Sequence, residues 1–343
     1  MTKPVSRSLT VCSALAVAIL LLVAAGLCIG PVNIPFGKAA GVVFGHGSGS
    51  DAWDYIIRES RFPSTATALL AGAALSASGL MLQTAFRNPL AGPDILGING
   101  GAGLGVAIVM MLFGGNLSMG SMSLGASVSV IVGAMAGAMA VTGLILALSA
   151  RIKNPVVLLI AGVMVSYLAS ALISLLNFFS TAEGVHSYTM WGMGNFGGVS
   201  LSRLPLFACL ALAGLLVALL LVKPLNAMLL GDMYARNLGV NVRRARLMLL
   251  LATSLLVAVT TAFCGPVSFI GLAVPHIARL MLGSSDHRRL MPVTVLSGAA
   301  VALVCNLASS LPGDRGLIPL NAITPAIGAP VILYVLLKQQ RRD

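Results

Sequence analysis

The stretch PVVLLIAGVMVSYLASALISLLNFF, Pro155–Phe179, runs 25 residues without a charged side chain. As a helix it spans roughly 37 Å, more than the about 30 Å of a bilayer's hydrocarbon core. Comparable apolar runs lie on either side of it, near Leu9–Gly30, Ser64–Thr84, Ile95–Gly114, Met122–Ser149, Arg203–Val222, Arg243–Cys264, Val267–Leu282, Leu290–Ser310 and Ile323–Leu337. The chain therefore reads as all-α and polytopic, with about ten transmembrane helices.

Charge orients those helices. With the N-terminus inside, 16 of the 21 Lys and Arg fall in cytoplasmic segments and 5 outside, while the 9 Asp and Glu divide 4 and 5. The whole net charge of +12 then lies on the cytoplasmic side, as the positive-inside rule requires, and both termini are cytoplasmic. In a soluble protein such a balance would point to nucleic acid. Here it is spread over loops beside apolar helices, where topology and anionic lipid account for it, and no nucleic-acid partner is expected.

The spans use up most of the 343 residues. Only the external loop of about 31–63 and the loops near 181–202 and 223–242 remain, so no soluble catalytic domain fits. The first apolar run exceeds a signal-peptide h-region, and Leu27 stands where lipoprotein processing before Cys28 would need a small residue, so it reads as the first span. The cysteines Cys12, Cys28, Cys209, Cys264 and Cys305 form no CxxC pair and read as small packing residues, not metal ligands.

No source of energy is visible in the chain. An ion-coupled secondary transporter, the reading from another class, needs a charge at mid-membrane, and no span carries Asp, Glu, Lys or Arg near its centre. Gln83, Asn177 and Asn306 read as interhelical hydrogen-bonding residues and His276 as a satisfied packing residue. A membrane enzyme would need a cluster of His, Asp or Glu, which is absent from the sequence pattern; no catalytic residue and no metal site are expected. A P-loop is missing too, since Gly37-Lys38 is followed by Ala39. The glycine-rich run Gly97–Gly105 lacks the full dinucleotide spacing and opens a span, which points to close helix packing. Prolines 89, 93, 266, 275, 325 and 330 mark short or interrupted helices.

Between the sixth and seventh spans lies KPLNAMLLGDMYARNLGVNV, residues 223–242. Asp232 is expected as an N-cap and Gly239 as a helix stop, with Tyr234 and Leu238 on one face and a bend at Gly231 after a shorter helix. The pattern predicts a compact helix pair over about 226–241 at the cytoplasmic surface, suited to a groove on a partner.

Several long motifs then point to a family. They are RESRFP (58–63), AGAALSASG (71–79), Gln83 and FRNPLAGPDILG (86–97), followed by LGD (230–232), ARNLG (235–239), GPVSFIGLAVPHIAR (265–279), DHR (286–288) and IGAP (327–330). Over nearly the whole chain, in the same order, they resemble the FecCD-type permease subunits of ABC importers for iron-siderophore, haem or vitamin B12. The resemblance implies the type II ABC importer permease fold, in a single transmembrane domain over 1–343, as a multi-pass protein of the cytoplasmic (inner) membrane. It implies pairing with a second copy around a path at the dimer interface, two cytoplasmic ATPase subunits that hold ATP and Mg, an external substrate-binding protein, and no cofactor on this chain. Carried over residue by residue, it makes Asp232, Tyr234, Arg236, Leu238 and Gly239 the ATPase-coupling residues and Asn88, Pro89 and Leu90 a cytoplasmic gate. Arg58 and Arg61 match an external docking cluster for the binding protein. The family's late docking arginine is replaced by Ser310, with Arg315 a few residues on as the substitute. No gate role is assigned to Asn154-Pro155-Val156. The segment 190–200 resembles the short helix lining the path, with Trp191, Met193, Asn195 and Phe196 on it. The substrate implied is a large iron chelate such as a ferric siderophore, with haem and cobalamin as alternatives.

Overall fold

A computed structural model describes residues 4–115, 117–119, 122–152, 154–311 and 316–340. In chain order its helices are α1 (Pro4–Cys28), α2 (Phe36–Val43), α3 (Asp51–Tyr55), α4 (Phe62–Ala85), α5 (Ile98–Ala107), α6 (Ala126–Arg151), α7 (Pro155–Phe179) and α8 (Ala182–Gly192). They continue with α9 (Leu204–Leu220), α10 (Val222–Leu229), α11 (Asp232–Asn237), α12 (Val242–Cys264), α13 (Ile270–Leu282), α14 (His287–Ser310) and α15 (Leu320–Gln340). A π-helical segment, Ile56–Arg61, joins α3 to α4, and another, Ile108–Leu112, extends α5.

Among the described residues six helices are long and apolar enough to cross a membrane, and α9 with α10, bent by 48°, makes a seventh. The shorter apolar helices Ile98–Leu112, Ile270–Leu282 and Leu320–Tyr334 bring the described segments to the expected ten. Several boundaries shift by a few residues, two of them for a reason visible in the backbone. The fourth span begins at Ala126, because Met122–Leu124 pairs antiparallel with Leu117–Met119 as a small hairpin. The eighth begins at Ile270, because Phe269 stands at φ 68°, a left-handed conformation that interrupts a helix.

Helix burial sorts core from periphery. In the apolar window of the segment leading through α4, 83% of residues are buried, against 6% in α1 and 17% in α7. Thus α4, with α12 and α14, forms the centre, and α1 and α7 turn apolar faces outward. Small residues make that centre possible, since lipid provides no hydrophobic drive between helices and close backbone approach must hold them. At Gly79 a Cβ would sit 1.7 Å from the carbonyl oxygen of Gly271, so α4 and α13 touch backbone to backbone. The glycine-rich run behaves likewise: Gly101 and Gly105 of α5 lie on Gly137 and Gly133 of α6.

Candidate functional site

At the N-terminal end of α4 the two arginines of the 58–63 motif part ways. Arg58 is exposed, whereas Arg61 is only 6% exposed. Its Nη1 donates to the carbonyls of Leu27 (2.8 Å) and Cys28 (2.7 Å) and its Nη2 to that of Val32. Arg61 therefore caps the C-terminal carbonyls of α1 and does not present its charge for docking, a correction to the expected cluster. The cause is local. Residues three apart share a face in an α-helix, but the wider i→i+5 turn of the π segment rotates less per residue and drives them apart. Arg61→Ala leaves the part-buried carbonyls of Leu27, Cys28 and Val32 without their donor, so it should cost about 1–3 kcal/mol and lower the thermal midpoint of the detergent-solubilised chain. Arg58→Glu should stay within about 0.5 kcal/mol. Equal midpoints for the two variants would overturn this division. Arg315 lies outside the described residues.

A cavity of ≈ 610 Å³ is walled by the π extension of α5, the start of α6, α8 and the end of α12. Met110, Glu183, Met190, Trp191, Asn195 and Arg203 line it, one acid and one base on an otherwise mostly uncharged wall. Of the expected lining residues, Trp191 and Asn195 are there. Met193 is half-buried and off the wall, and Phe196 is fully buried in the core, which corrects its placement. The turn explains it: the Asn195 side chain accepts the Gly197 N–H at 2.7 Å, and this tight 3-10 turn directs Phe196 inward.

Below that turn lies a residue missed in the sequence. Asn321, at the start of α15, donates from Nδ2 to the carbonyls of Gly192 (3.0 Å) and Pro266 (2.8 Å) and accepts the Ser268 N–H at 3.1 Å. Its own N–H donates to the Met193 carbonyl at 3.1 Å, and the Asn195 N–H to that of Cys264 at 2.8 Å. One amide thus satisfies the backbone freed where α8 ends and where α12 breaks into α13. An Asn heading an apolar span just after Pro319 was the available signal.

At its C-terminal end, α4 closes in a reciprocal pair of bonds, Asn88 N–H to Gln83 (3.1 Å) and Arg87 N–H to Thr84 (3.3 Å), which places Arg87 at φ 48°. Glycine normally takes this left-handed position; an L-residue there costs about 1–2 kcal/mol. The hairpin Asn88–Leu90 follows, closed by the Asn88 side chain accepting the Leu90 N–H at 2.9 Å. His276 of α13 donates from Nε2 to the Pro89 carbonyl at 2.8 Å, so its ring is satisfied as a packing residue. Gln83 bridges α4 to α13, donating to the Leu272 carbonyl (3.2 Å) and accepting from Arg279 (2.6 Å).

The helix pair lies beside this hairpin. Gly231, at φ 111°, makes the bend, and α11 stops through Val240 N–H to Ala235 (3.0 Å) and Gly239 N–H to Arg236 (2.9 Å), with Gly239 at φ 81°. Asp232 is not the N-cap. It is the first helical residue, and its carboxylate pairs with Arg87 at 2.7 Å and Arg246 at 3.0 Å, which draws it away from the helix amides. The base of the pair is anchored by Asn226, which donates to Asp286 (2.7 Å) and accepts the His287 N–H (2.7 Å), while Thr84 of α4 bonds the far ring nitrogen of His287 at 2.8 Å. Burial pushes the Asp286 carboxyl up, but the Arg288 N–H, Asn226 and the neighbouring arginines outweigh it and hold the group below the usual carboxylate range. The tip is bare: Met233 is 82% exposed, and Leu230, Tyr234, Arg236 and Leu238 are exposed around it.

Comparison with known proteins agrees with this architecture. A family model described as the FecCD transport family matches residues 17–338. The vitamin B12 import system permease protein BtuC of Klebsiella pneumoniae subsp. pneumoniae is 37% identical over 286 residues, 83% of each chain. That of Citrobacter koseri is 36% identical over 335 residues, 96% of this chain and 94% of its own. A solved structure described as an inward-facing conformation of a metal-chelate type ABC transporter superposes with a TM-score of 0.83 at 28% identity, over 96% of this chain and 99% of its own. The chain, a multi-pass membrane protein and a transport component instead of an enzyme, belongs to the FecCD transport family of ABC importer permeases.

Proposed function

We propose that two copies of this chain enclose a path for a bulky metal chelate, driven by cytoplasmic ATPase subunits that dock on α10 and α11 and loaded by an external binding protein that meets Arg58. The observation that carries the reading is the bare apolar tip of α11, Met233 with Tyr234 and Leu238, held on a helix pair bonded to the bundle, in a chain with no P-loop of its own. The charge asymmetry supports a cytoplasmic position for α10, α11 and both termini. The cavity beside Trp191 supports a bulky cargo: methionine and glycine give an adaptable wall, and Glu183 and Arg203 offset each other. For the cargo, the names of the relatives favour cobalamin. The motifs alone favour a ferric siderophore, which stays as the second reading, with haem as a third.

Reconstitution tests this. Vesicles holding the chain, its ATPase and its binding protein should take up cyanocobalamin, or a ferric hydroxamate, only with ATP and Mg, and should continue after the proton gradient is collapsed. Uptake driven by a pH gradient through the chain alone would sink the reading. Arg58→Glu should slow association of the binding protein while leaving basal ATP hydrolysis intact; one exposed charge is worth about 0–1 kcal/mol, so the effect is modest.

A further inference from the structure

Among the described residues, three helix ends close with the same pair of reciprocal bonds, and one is filled differently. After α2 and α11 the left-handed position holds Gly45 and Gly239; after α4 it holds Arg87, at φ 48°. The fold alone favours glycine at all three. An arginine kept there in a strained backbone conformation points to a task for its side chain. That side chain reaches Asp232, the first residue of α11, at 2.7 Å, across 145 positions of sequence. The residue after Arg87 opens the Asn88–Leu90 hairpin, whose middle carbonyl is held from the other side by His276. The hairpin is thus tied by Arg87 to the exposed helix pair and by Pro89 to α13, whose upper end meets the Asn321 node.

We propose that Arg87 is a positioning residue that transmits displacement of α11 to the Asn88–Leu90 hairpin, with His276 as the fixed point against which the hairpin turns. This rests on the proposed coupling of α10 and α11 to an ATPase, and it deepens that reading by naming the joint. The strained backbone makes the joint short: no flexible residue lies between the guanidinium's own Cα and Asn88, so a push on Asp232 reaches the hairpin through one side chain. Arg246, which holds the second oxygen of Asp232 at 3.0 Å, belongs to α12 and ties the same carboxylate to the bundle core. Asp232 therefore receives the push, Arg87 is the lever and His276 the fixed point.

The test is Arg87→Gly in the assembled complex, with cysteines otherwise removed and a spin label at Leu90→Cys in each of two copies. Glycine relieves the strain, so the variant should insert, elute and melt at least as well as the parent, co-purify with the ATPase and hydrolyse ATP. The ATP-dependent change in distance between the labels should be lost. Arg87→Lys, which keeps the charge, should recover part of it, and adding Asp232→Asn to Arg87→Gly should remove nothing further, the non-additivity of partners in one link. A purely structural arginine predicts instead an unchanged distance response in Arg87→Gly, and that result overturns the proposal. So does an additive loss in the double variant. If the unmodified chain fails to bind the ATPase at all, the coupling reading itself falls, which the co-purification arm reports separately.

Discussion

Gly79→Val should leave almost no folded chain to extract from the membrane. The Cβ position at Gly79 is 1.7 Å from the Gly271 carbonyl oxygen and 2.5 Å from its carbon, all backbone of α13. No rotamer change relieves a clash with backbone, so α4 and α13 must separate. They are further pinned, since a Cβ on Gly271 would in turn meet the Pro93 ring at 2.6 Å and the Leu75 carbonyl at 2.9 Å. Ordinary overpacking costs about 1–3 kcal/mol; a backbone collision at a three-way crossing should exceed about 4 kcal/mol, the range in which single substitutions unfold proteins. Gly143→Val is the control, because a Cβ there meets nothing within 4 Å. Fluorescence-detected size-exclusion yields should fall to background for the first and match the parent for the second. A monodisperse Gly79→Val peak at parental yield would refute the close crossing.

Met233→Asp with Leu238→Asp should abolish retention of the ATPase while leaving the chain as stable as before. Met233 is 82% and Leu238 58% exposed, so neither side chain contributes much to the fold. At a partner's groove such residues act as anchors worth about 2–4 kcal/mol each when lost, roughly 30-fold or more in affinity. A proline at 238 would be a weak probe, because Leu238 is the C-cap of α11 and not in its interior. Co-purification measures the outcome; undiminished ATPase in the double-aspartate complex would remove α11 from the coupling surface.

What could be read from the sequence was local or periodic. Apolar runs marked the spans, and Gly231 and Gly239 announced a bend and a stop because glycine is the residue that takes φ 111° and 81° without steric penalty. Prolines at 266 and 275 warned of the short α13. What escaped depends on partners far along the chain. Asp232 matched the composition of a cap, yet its oxygens go to Arg87 and Arg246, which no local pattern announces. Arg58 and Arg61 looked equivalent until a π turn, invisible in composition, separated them. Phe196 is put on the path by the resemblance of segment 190–200 to a path-lining helix, but a tight turn directs it into the core.

The Asn321 node also sets a clock for biogenesis. Its partners Gly192, Pro266 and Ser268 enter the membrane up to 129 residues before it does, and until α15 arrives their carbonyls and amide lack the donors and acceptor it supplies. Because chains emerge N-terminus first, the earlier helices must wait with that seam open, vulnerable to quality-control proteases. The seam is sealed by α15, the last of the described helices to be made.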